Sequence, residues 1–361
     1  MKTNFLRGFI NTGTFRSWSV IGLLGIPVVL SGCSFGSKPG ASPVDPPPAS
    51  VEAAMLQAVQ ASAPAADGEL SSVFLQDENG RLAPVSLPIG SGDSTADAKT
   101  ALESLVLGGP FSGLLPEGFQ GVLPQGTAIN KVTLDKEKKT ASIDFSGAFT
   151  KYQAKDERKI LEALTWTLTG NPDIQNVQLS VDGQKLTAMP QGGIPVDRPL
   201  NRSLGINLEI GNGVSVTASR PVTVYFTAAS PGGVTYYVPV TRLVNDRTDR
   251  MEAALQELIQ GPQQEDGLNM VMTDGTTLES VKQSEDGVVT VSLKDSMFDK
   301  GQKIPEEFLQ SVVLTAADNS GNARTAKVKI ELNGEQTVLG ESNEDYGKPV
   351  AKPEHLNEIP L

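Results

Sequence analysis

Residues 96–110 read ADAKTALESLVLGGP, and residues 249–262 read DRMEAALQELIQGP. In the first stretch Ala98, Ala101, Leu102, Leu105 and Val106 follow the i, i+3, i+4, i+7, i+8 spacing that puts apolar side chains on one face of a helix. Met251, Ala254, Leu255, Leu258 and Ile259 repeat that spacing in the second stretch, at a constant offset from the first. The pattern predicts two copies of one amphipathic helix. Thr95 and Thr248 are the expected first residues, with Ser94 and Asp97 forming a capping-box-like start in the first copy. Gly109-Pro110 and Gly261-Pro262 are the expected stops, because glycine permits a left-handed cap and proline cannot continue the ladder.

The duplication extends outward from these helices. PQGTAINKVTLDKEKKTASIDFSGA (124–148) matches TDGTTLESVKQSEDGVVTVSLKDS (273–296), with one residue fewer in the second hairpin turn. Ala141, Ile143 and Phe145 alternate as Val289, Val291 and Leu293 do, so one face of each strand is expected to be buried. A second helix pattern follows, ERKILEALTWTLTGN (157–171) against PEEFLQSVVLTAADN (305–319), and then a strand, VQLSVDGQ (177–184) against VKIELNGE (328–335). Ahead of the first helices, SSVFLQDENGRLAPVSLPI (71–89) and VTVYFTAASPGGVTYYVPVTRLV (222–244) each read as a strand pair. The expected fold class is α+β, as two tandem two-layer α/β sandwich domains of βαββαβ type, each burying two helix stripes on one sheet face. The expected domains are residues 69–189 and 222–340, joined by an inter-domain segment at 190–221 and followed by a tail at 341–361. The 190–221 segment is long for a simple connection and contains the alternating stretch INLEI (206–210), which suits a segment packed across both domains.

The amino terminus reads differently. Lys2, Arg7 and Arg16 precede the uncharged stretch WSVIGLLGIPVVL (18–30). A spanning helix needs about 20 apolar residues. This shorter stretch, broken by Gly22, Gly25 and Pro27, suits the core of a signal peptide over residues 1–32. Leu30-Ser31-Gly32 before Cys33 is similar to the lipobox of bacterial lipoproteins. In that family the cysteine sulfur carries a diacylglycerol and becomes the new amino terminus, so Cys33 is the expected lipid attachment site. Residues 34–68, rich in proline, alanine, serine and glycine, read as a tether. A flexible coil of that length separates its ends by roughly 30–35 Å.

Composition narrows the chemistry. The sequence holds one cysteine and one histidine. With Cys33 consumed by lipid, no thiol remains for a disulfide, a nucleophile or a cysteine-rich metal site. His355 lies in the charged, proline-containing stretch KPEHLNEIPL (352–361) and reads as a solvated residue outside any triad. A net charge of −12 disfavours nucleic acid as a partner. GSGDST (90–95) precedes a helix but lacks the Gly-Lys-Ser/Thr ending of a nucleotide loop, so it reads as a capped turn. No cofactor or metal is expected.

Two rival readings stay open. A carboxylate-dependent cell-wall hydrolase needs only two acids, and Asp144, Glu162, Asp173 and Asp182 are the candidates in the first repeat. Three of these have Ser292, Gln310 and Asn333 in the second repeat, which suits structural roles better than a duplicated active site. Peptidoglycan or small-ligand binding would use Trp166, Tyr236 or Tyr237 as stacking surfaces. Trp166 fits a helix core better, and the adjacent tyrosines of a strand must face opposite ways.

Several stretches together carry a family resemblance. They are ALESLVLGGP (101–110), LPEGFQGVLP (115–124), TWTLT (165–169), MPQGG (189–193) and GINLE (205–209), then VYF (224–226), YYVPVT (236–241) and ELIQGP (257–262). In this order and spacing, from Ser71 to Gly340, the chain resembles the GerM family of sporulation and germination proteins of spore-forming bacteria. The resemblance implies domains related to the ring-building motifs of sporulation and secretion channels, and a non-enzymatic role. It further implies a scaffold between mother cell and forespore membranes whose partners are envelope proteins of a sporulation channel or engulfment complex. No catalytic residue is carried over from the family.

Overall fold

Each repeat builds its main sheet from the alternating strands that the sequence marks. A computed structural model of the chain describes residues 69–210, 218–263 and 267–359. In the first repeat β1 (Glu69–Gln76) and β2 (Leu82–Gly90) form a hairpin, followed by α1 (Ser94–Ser104). Then come β3 (Ile129–Asp135), β4 (Thr140–Phe145), α2 (Glu157–Leu168), β5 (Asn176–Val181) and β6 (Gln184–Lys185). The second repeat follows the same order: β7 (Ser219–Ala229), β8 (Thr235–Asn245), α3 (Arg250–Gln260), β9 (Thr277–Gln283), β10 (Val288–Lys294), α4 (Glu306–Asn319) and β11 (Lys327–Leu332). A short β12 (Val350–Ala351) completes it. The four-stranded sheets run β3-β4-β5-β6 and β12-β11-β10-β9. In each, the central pair (β4 with β5, β10 with β11) is parallel, so the intervening helix is a crossover. Ala141, Ile143 and Phe145 are buried, as are Val289, Val291 and Leu293.

The duplicated α/β architecture is the one expected, with one difference. The opening hairpins β1-β2 and β7-β8 are separate two-stranded sheets and do not join the four-stranded ones. The crossover helix intervenes. Phe74 N–H donates to Thr167 Oγ1 of α2 at 2.9 Å, and Tyr225 N–H donates to Thr315 Oγ1 of α4 at 3.2 Å. A helix hydroxyl therefore stands where a strand carbonyl would otherwise pair. Both helices are buried on several faces: α2 covers Ile160, Leu161, Leu164 and Trp166, while α4 covers Phe308, Leu309, Val312, Val313 and Leu314.

The first helices differ from expectation at their ends. Asp93, not Thr95 or Ser94, caps α1, its carboxylate accepting the amides of Thr95 and Ala96. Asp97 reaches back to the amide and hydroxyl of Ser91. Asp249, not Thr248, does the same for α3 at Met251 and Glu252. A short carboxylate reaches these amides directly and also faces the positive end of the helix dipole. Gly261 ends α3 with φ 80°, as the Gly-Pro signal predicts. By contrast α1 stops at Ser104, ahead of Gly109, because Leu105 and Leu107 turn to exchange backbone bonds with Leu123.

An acidic side chain in the first turn of each crossover helix fastens a later loop, the one after β6 in the first repeat and the one between β11 and β12 in the second. Glu157 is buried and accepts the amides of Gln191, Gly192 and Ile194 and the hydroxyl of Tyr152. Burial pushes its carboxyl upward, but these donors outweigh it and hold the group below the usual carboxylate range. Glu306 accepts the amide and hydroxyl of Ser342 and the hydroxyl of Tyr346. A Cβ on Gly192 would lie 2.5 Å from Glu157 Oε2, and one on Gly340 2.6 Å from Glu306 Oε2.

The two repeats meet edge to edge through β2 and β8. Both carry a proline, Pro84 and Pro239, which supplies no N–H to a ladder. Two asparagine carboxamides fill the gap. Asn207 accepts from Leu82 N–H and donates to the carbonyls of Leu82 and Pro239, at 2.8, 2.7 and 2.7 Å. Asn357 accepts from Tyr237 N–H and donates to the carbonyls of Tyr237 and Pro84, at 2.8, 2.8 and 2.7 Å. Their φ values are 47° and 56°, in the left-handed region that asparagine tolerates. The preceding residues match too: Ile206 exchanges bonds with Thr241, and Leu356 accepts the Ser86 hydroxyl. The seam thus has an approximate two-fold character, with the carboxyl-terminal stretch playing the part of the inter-domain segment. Leu356 and Ile359 are buried in consequence. Buried Arg242 reinforces the seam, pairing with Glu209 at 3.0 Å and Glu257 at 3.1 Å and donating to Gly261 O.

Two predictions follow from these contacts. Asn207→Gly and Asn357→Gly keep the left-handed backbone but remove the carboxamide, and each should cost about 1–3 kcal/mol in urea unfolding. Unchanged unfolding midpoints in both variants would remove the role assigned to these side chains. Gly192→Ala and Gly340→Ala should each destabilise by about 1–3 kcal/mol through overpacking against the carboxylate, with wild-type stability in both counting against it.

Candidate functional site

The carboxyl end of α2 stops short of the second repeat and leaves a cleft of about 690 Å³. Its walls come from β1, α1, the end of α2, the loop after α4, and the carboxyl-terminal stretch. Both repeats therefore contribute to it. Three cationic side chains line it, Arg202, Arg324 and Lys352. Arg324, from the second repeat, donates to the carbonyls of Thr169, Asn171 and Ile174 at 2.7, 3.1 and 3.3 Å. It thus caps the end of α2, where the helix dipole is negative. Arg202 donates through Nε to Thr169 Oγ1 at 3.0 Å and lies 4.4 Å over the Trp166 ring. Burial and the neighbouring charge of Arg202 both lower the Arg324 pKa.

On the opposite wall Asp318 pairs with Lys352 at 2.6 Å and accepts the Tyr225 hydroxyl. Burial pushes the Asp318 carboxyl upward, but Lys352, Arg202 and the Tyr225 hydroxyl outweigh it and hold it below the ordinary carboxylate value. Burial and the charge of Asp318 push the Tyr225 hydroxyl well above its ordinary value. The pair ties the stretch after β12 to α4.

The residues singled out from sequence are dispersed. Cys33 lies outside the described residues. Glu162 is buried, pairs with Arg158 at 2.7 Å and accepts the Asn207 amide, so it belongs to the seam. Burial raises its pKa, with Arg158 offsetting part of the rise. Asp144 accepts the Gly183 amide and so caps the Asp182-Gly183 turn. That contact brings Asp144 and Asp182 to one end of the sheet, away from the cleft. Asp182 has φ 48° and its counterpart Asn333 φ 55°; the turn needs that backbone, which either side chain tolerates. Asp173 is exposed in the loop after α2. None of the four acids lines the cleft.

The aromatic candidates are core residues. Trp166 is buried against Phe74 and donates to Gly205 O at 2.8 Å. Tyr236 is buried against Phe119 with its hydroxyl on Asp77, and Tyr237 points the other way, onto Tyr225, Leu314 and Leu356. His355 is half-buried on the cleft wall, not solvated. Sequence reasoning missed Arg202, Arg324, Lys352 and Asp318. No local pattern marks them, whereas the Ile-Asn and Leu-Asn pairs at 206–207 and 356–357 were a visible signal for the seam.

Comparison with known proteins identifies the family. The family model named Germane, described as sporulation and spore germination, matches residues 48–187 and 223–338. The chain belongs to the Germane family. One match falls on each repeat. The chain is 36% identical over 353 residues to the spore germination protein GerM of Bacillus subtilis (strain 168), covering 91% of this chain and 94% of that protein. Its structure is similar to the tandem GerMN domains of the sporulation protein GerM from Bacillus subtilis, with 38% identity and a TM-score of 0.71. That similarity covers 80% of this chain and 98% of the other. The Germane match is to a sporulation and germination family and points to no enzymatic one. Among the described residues no helix is long and apolar enough to cross a membrane.

The Asp318 pair makes a pH prediction. A carboxyl held below its unfolded value stabilises the fold above that unfolded value, and the contribution disappears as pH falls through the folded value. Asp318→Asn should therefore cost about 3 kcal/mol at pH 7 by leaving Lys352 without its buried partner. The difference from wild type should shrink as the pH is lowered below about 4. Urea unfolding at several pH values measures it, and a cost independent of pH would contradict the assignment.

Proposed function

We propose that this chain is a lipid-anchored, non-enzymatic envelope protein of sporulation and germination. In this reading its two Germane repeats act as one rigid scaffold that stabilises a protein complex between the mother cell and forespore membranes. Cys33 carries the lipid on the extracytoplasmic face of the cell membrane, and residues 34–68 set the reach of the repeats from it. The partners are envelope proteins of a sporulation channel or engulfment complex. The observation that carries this reading is the Germane match on both repeats. Two features support it. The repeats share one seam and are built to move as one body. Among the described residues the edge strands β3 and β9 each pair with a strand on one side only, which leaves an edge on which a partner strand can add.

Fractionation and crosslinking test the two halves of the proposal. Cys33→Ala should leave the protein uncut or released from the membrane fraction; tight retention of a cut form would overturn lipid anchoring. Crosslinking from β3 or β9 in sporulating cells should trap envelope proteins in defined bands. Recovery of the chain free of any crosslinked protein, at every stage of sporulation, would overturn the scaffold reading.

A further inference from the structure

The cleft between the repeats holds a charge arrangement that the scaffold reading does not use. Arg202 and Arg324 both converge on Thr169, and no carboxylate forms an ion pair with either among the described residues. Capping of α2 accounts for one nitrogen of Arg324, which makes all three of its carbonyl bonds through Nη2. It does not account for Arg202, whose Nη1 and Nη2 have no hydrogen-bond partner among the described residues. Two guanidinium groups drawn to one residue repel each other, and among the described residues the carboxylates of Asp318 and Asp173 offset them only from beyond ion-pair distance. This occurs in a chain whose net charge is −12. The acids on the same walls make their direct bonds elsewhere: Asp318 to Lys352 and Tyr225, and Asp97 to Ser91. Glu69 and Glu354 also line the cleft, and both are exposed to solvent. A second, independent feature lies on the same wall. The Nδ1 atom of His355 is buried and has no hydrogen-bond partner among the described residues.

We infer that the cleft is a binding site for an anionic ligand whose carboxylate or phosphate group is received by the guanidinium groups of Arg202 and Arg324. Guanidinium is planar and presents its donors as a fork, which matches the oxygen pairs of carboxylate and phosphate. The volume of about 690 Å³ suits a small molecule or one unit of a polymer. Leu70, Ala98, Ala101 and Leu356 supply an apolar wall for the rest of the ligand. Its position at the joint between repeats means that an occupant would contact both, so binding would also stiffen the seam.

The lone histidine makes the test direct, because the full chain in detergent gives one imidazole signal by NMR. The chain is titrated at pH 7.5 with citrate and, separately, with inorganic phosphate, against sodium chloride at matched ionic strength. The inference expects a saturable shift of the His355 signal with at least one of the two anions and none with chloride. Saturation by citrate alone assigns a carboxylate ligand, and saturation by phosphate alone a phosphate ligand. Arg202→Gln should weaken binding roughly tenfold or more, the loss of a charge-assisted hydrogen bond. Arg202→Lys, which keeps the charge but loses the fork, should weaken it as well. A shift absent with both anions, matched by chloride, or undiminished in folded Arg202→Gln would overturn the site. If Arg202→Gln does not fold, the chloride comparison on the wild-type chain decides alone.

Discussion

The structure depends on joining two strand edges that each carry a proline. Without the N–H groups of Pro84 and Pro239, β2 and β8 cannot form a full ladder, and bare strand edges at a buried seam would leave backbone groups unpaired. Asn207 and Asn357 resolve this by placing a carboxamide between the edges, where it acts as a detached peptide group with one acceptor and two donors. Everything that distinguishes this chain from two separate domains follows from that arrangement. The inter-domain segment must cross the seam to deliver Asn207, and the carboxyl-terminal stretch must return to deliver Asn357. The cleft exists because those two stretches and the end of α2 do not fill the space between the repeats.

A parallel economy operates inside each repeat. Thr167 and Thr315 occupy corresponding positions on α2 and α4, and each hydroxyl receives an amide from the inner edge of the opening hairpin. The hairpin is thus held to the crossover helix rather than to the four-stranded sheet. Glu157 and Glu306, at the other end of the same helices, hold the loop after β6 and the loop between β11 and β12. The crossover helix is the central element of each repeat, with a sheet on one side, a hairpin on another and a loop at its amino end. The family resemblance carried by TWTLT and MPQGG falls on these contacts: the first contains Trp166 and Thr167, and the second contains Gly192.

The functional picture is correspondingly divided. The scaffold reading uses the outer faces and sheet edges, while the cleft lies between the repeats and offers chemistry of a different kind. Of the carboxylates considered for hydrolysis, Glu162 is occupied at the seam and Asp144 at a turn. A turn that needs a left-handed residue is served equally by Asp182 or Asn333.

Read alone, the amino-acid sequence determined the two repeats, the type and order of their elements, the buried face of β4 and β10, and the Gly-Pro end of α3. These are local properties. Side-chain periodicity and turn chemistry act within a few residues, so they are written in consecutive residues. Helix ends were legible only approximately, since Asp93 and Ser94 are both good caps and backbone pairing by Leu105 decided where α1 stopped. The detached hairpins, the seam and the cleft were decided by the tertiary structure. Asn357 meets Pro84 across a separation of 273 residues, and Arg324 meets Thr169 across 155. Bonds of that range depend on where two folded surfaces come to rest, and no spacing along the chain specifies that.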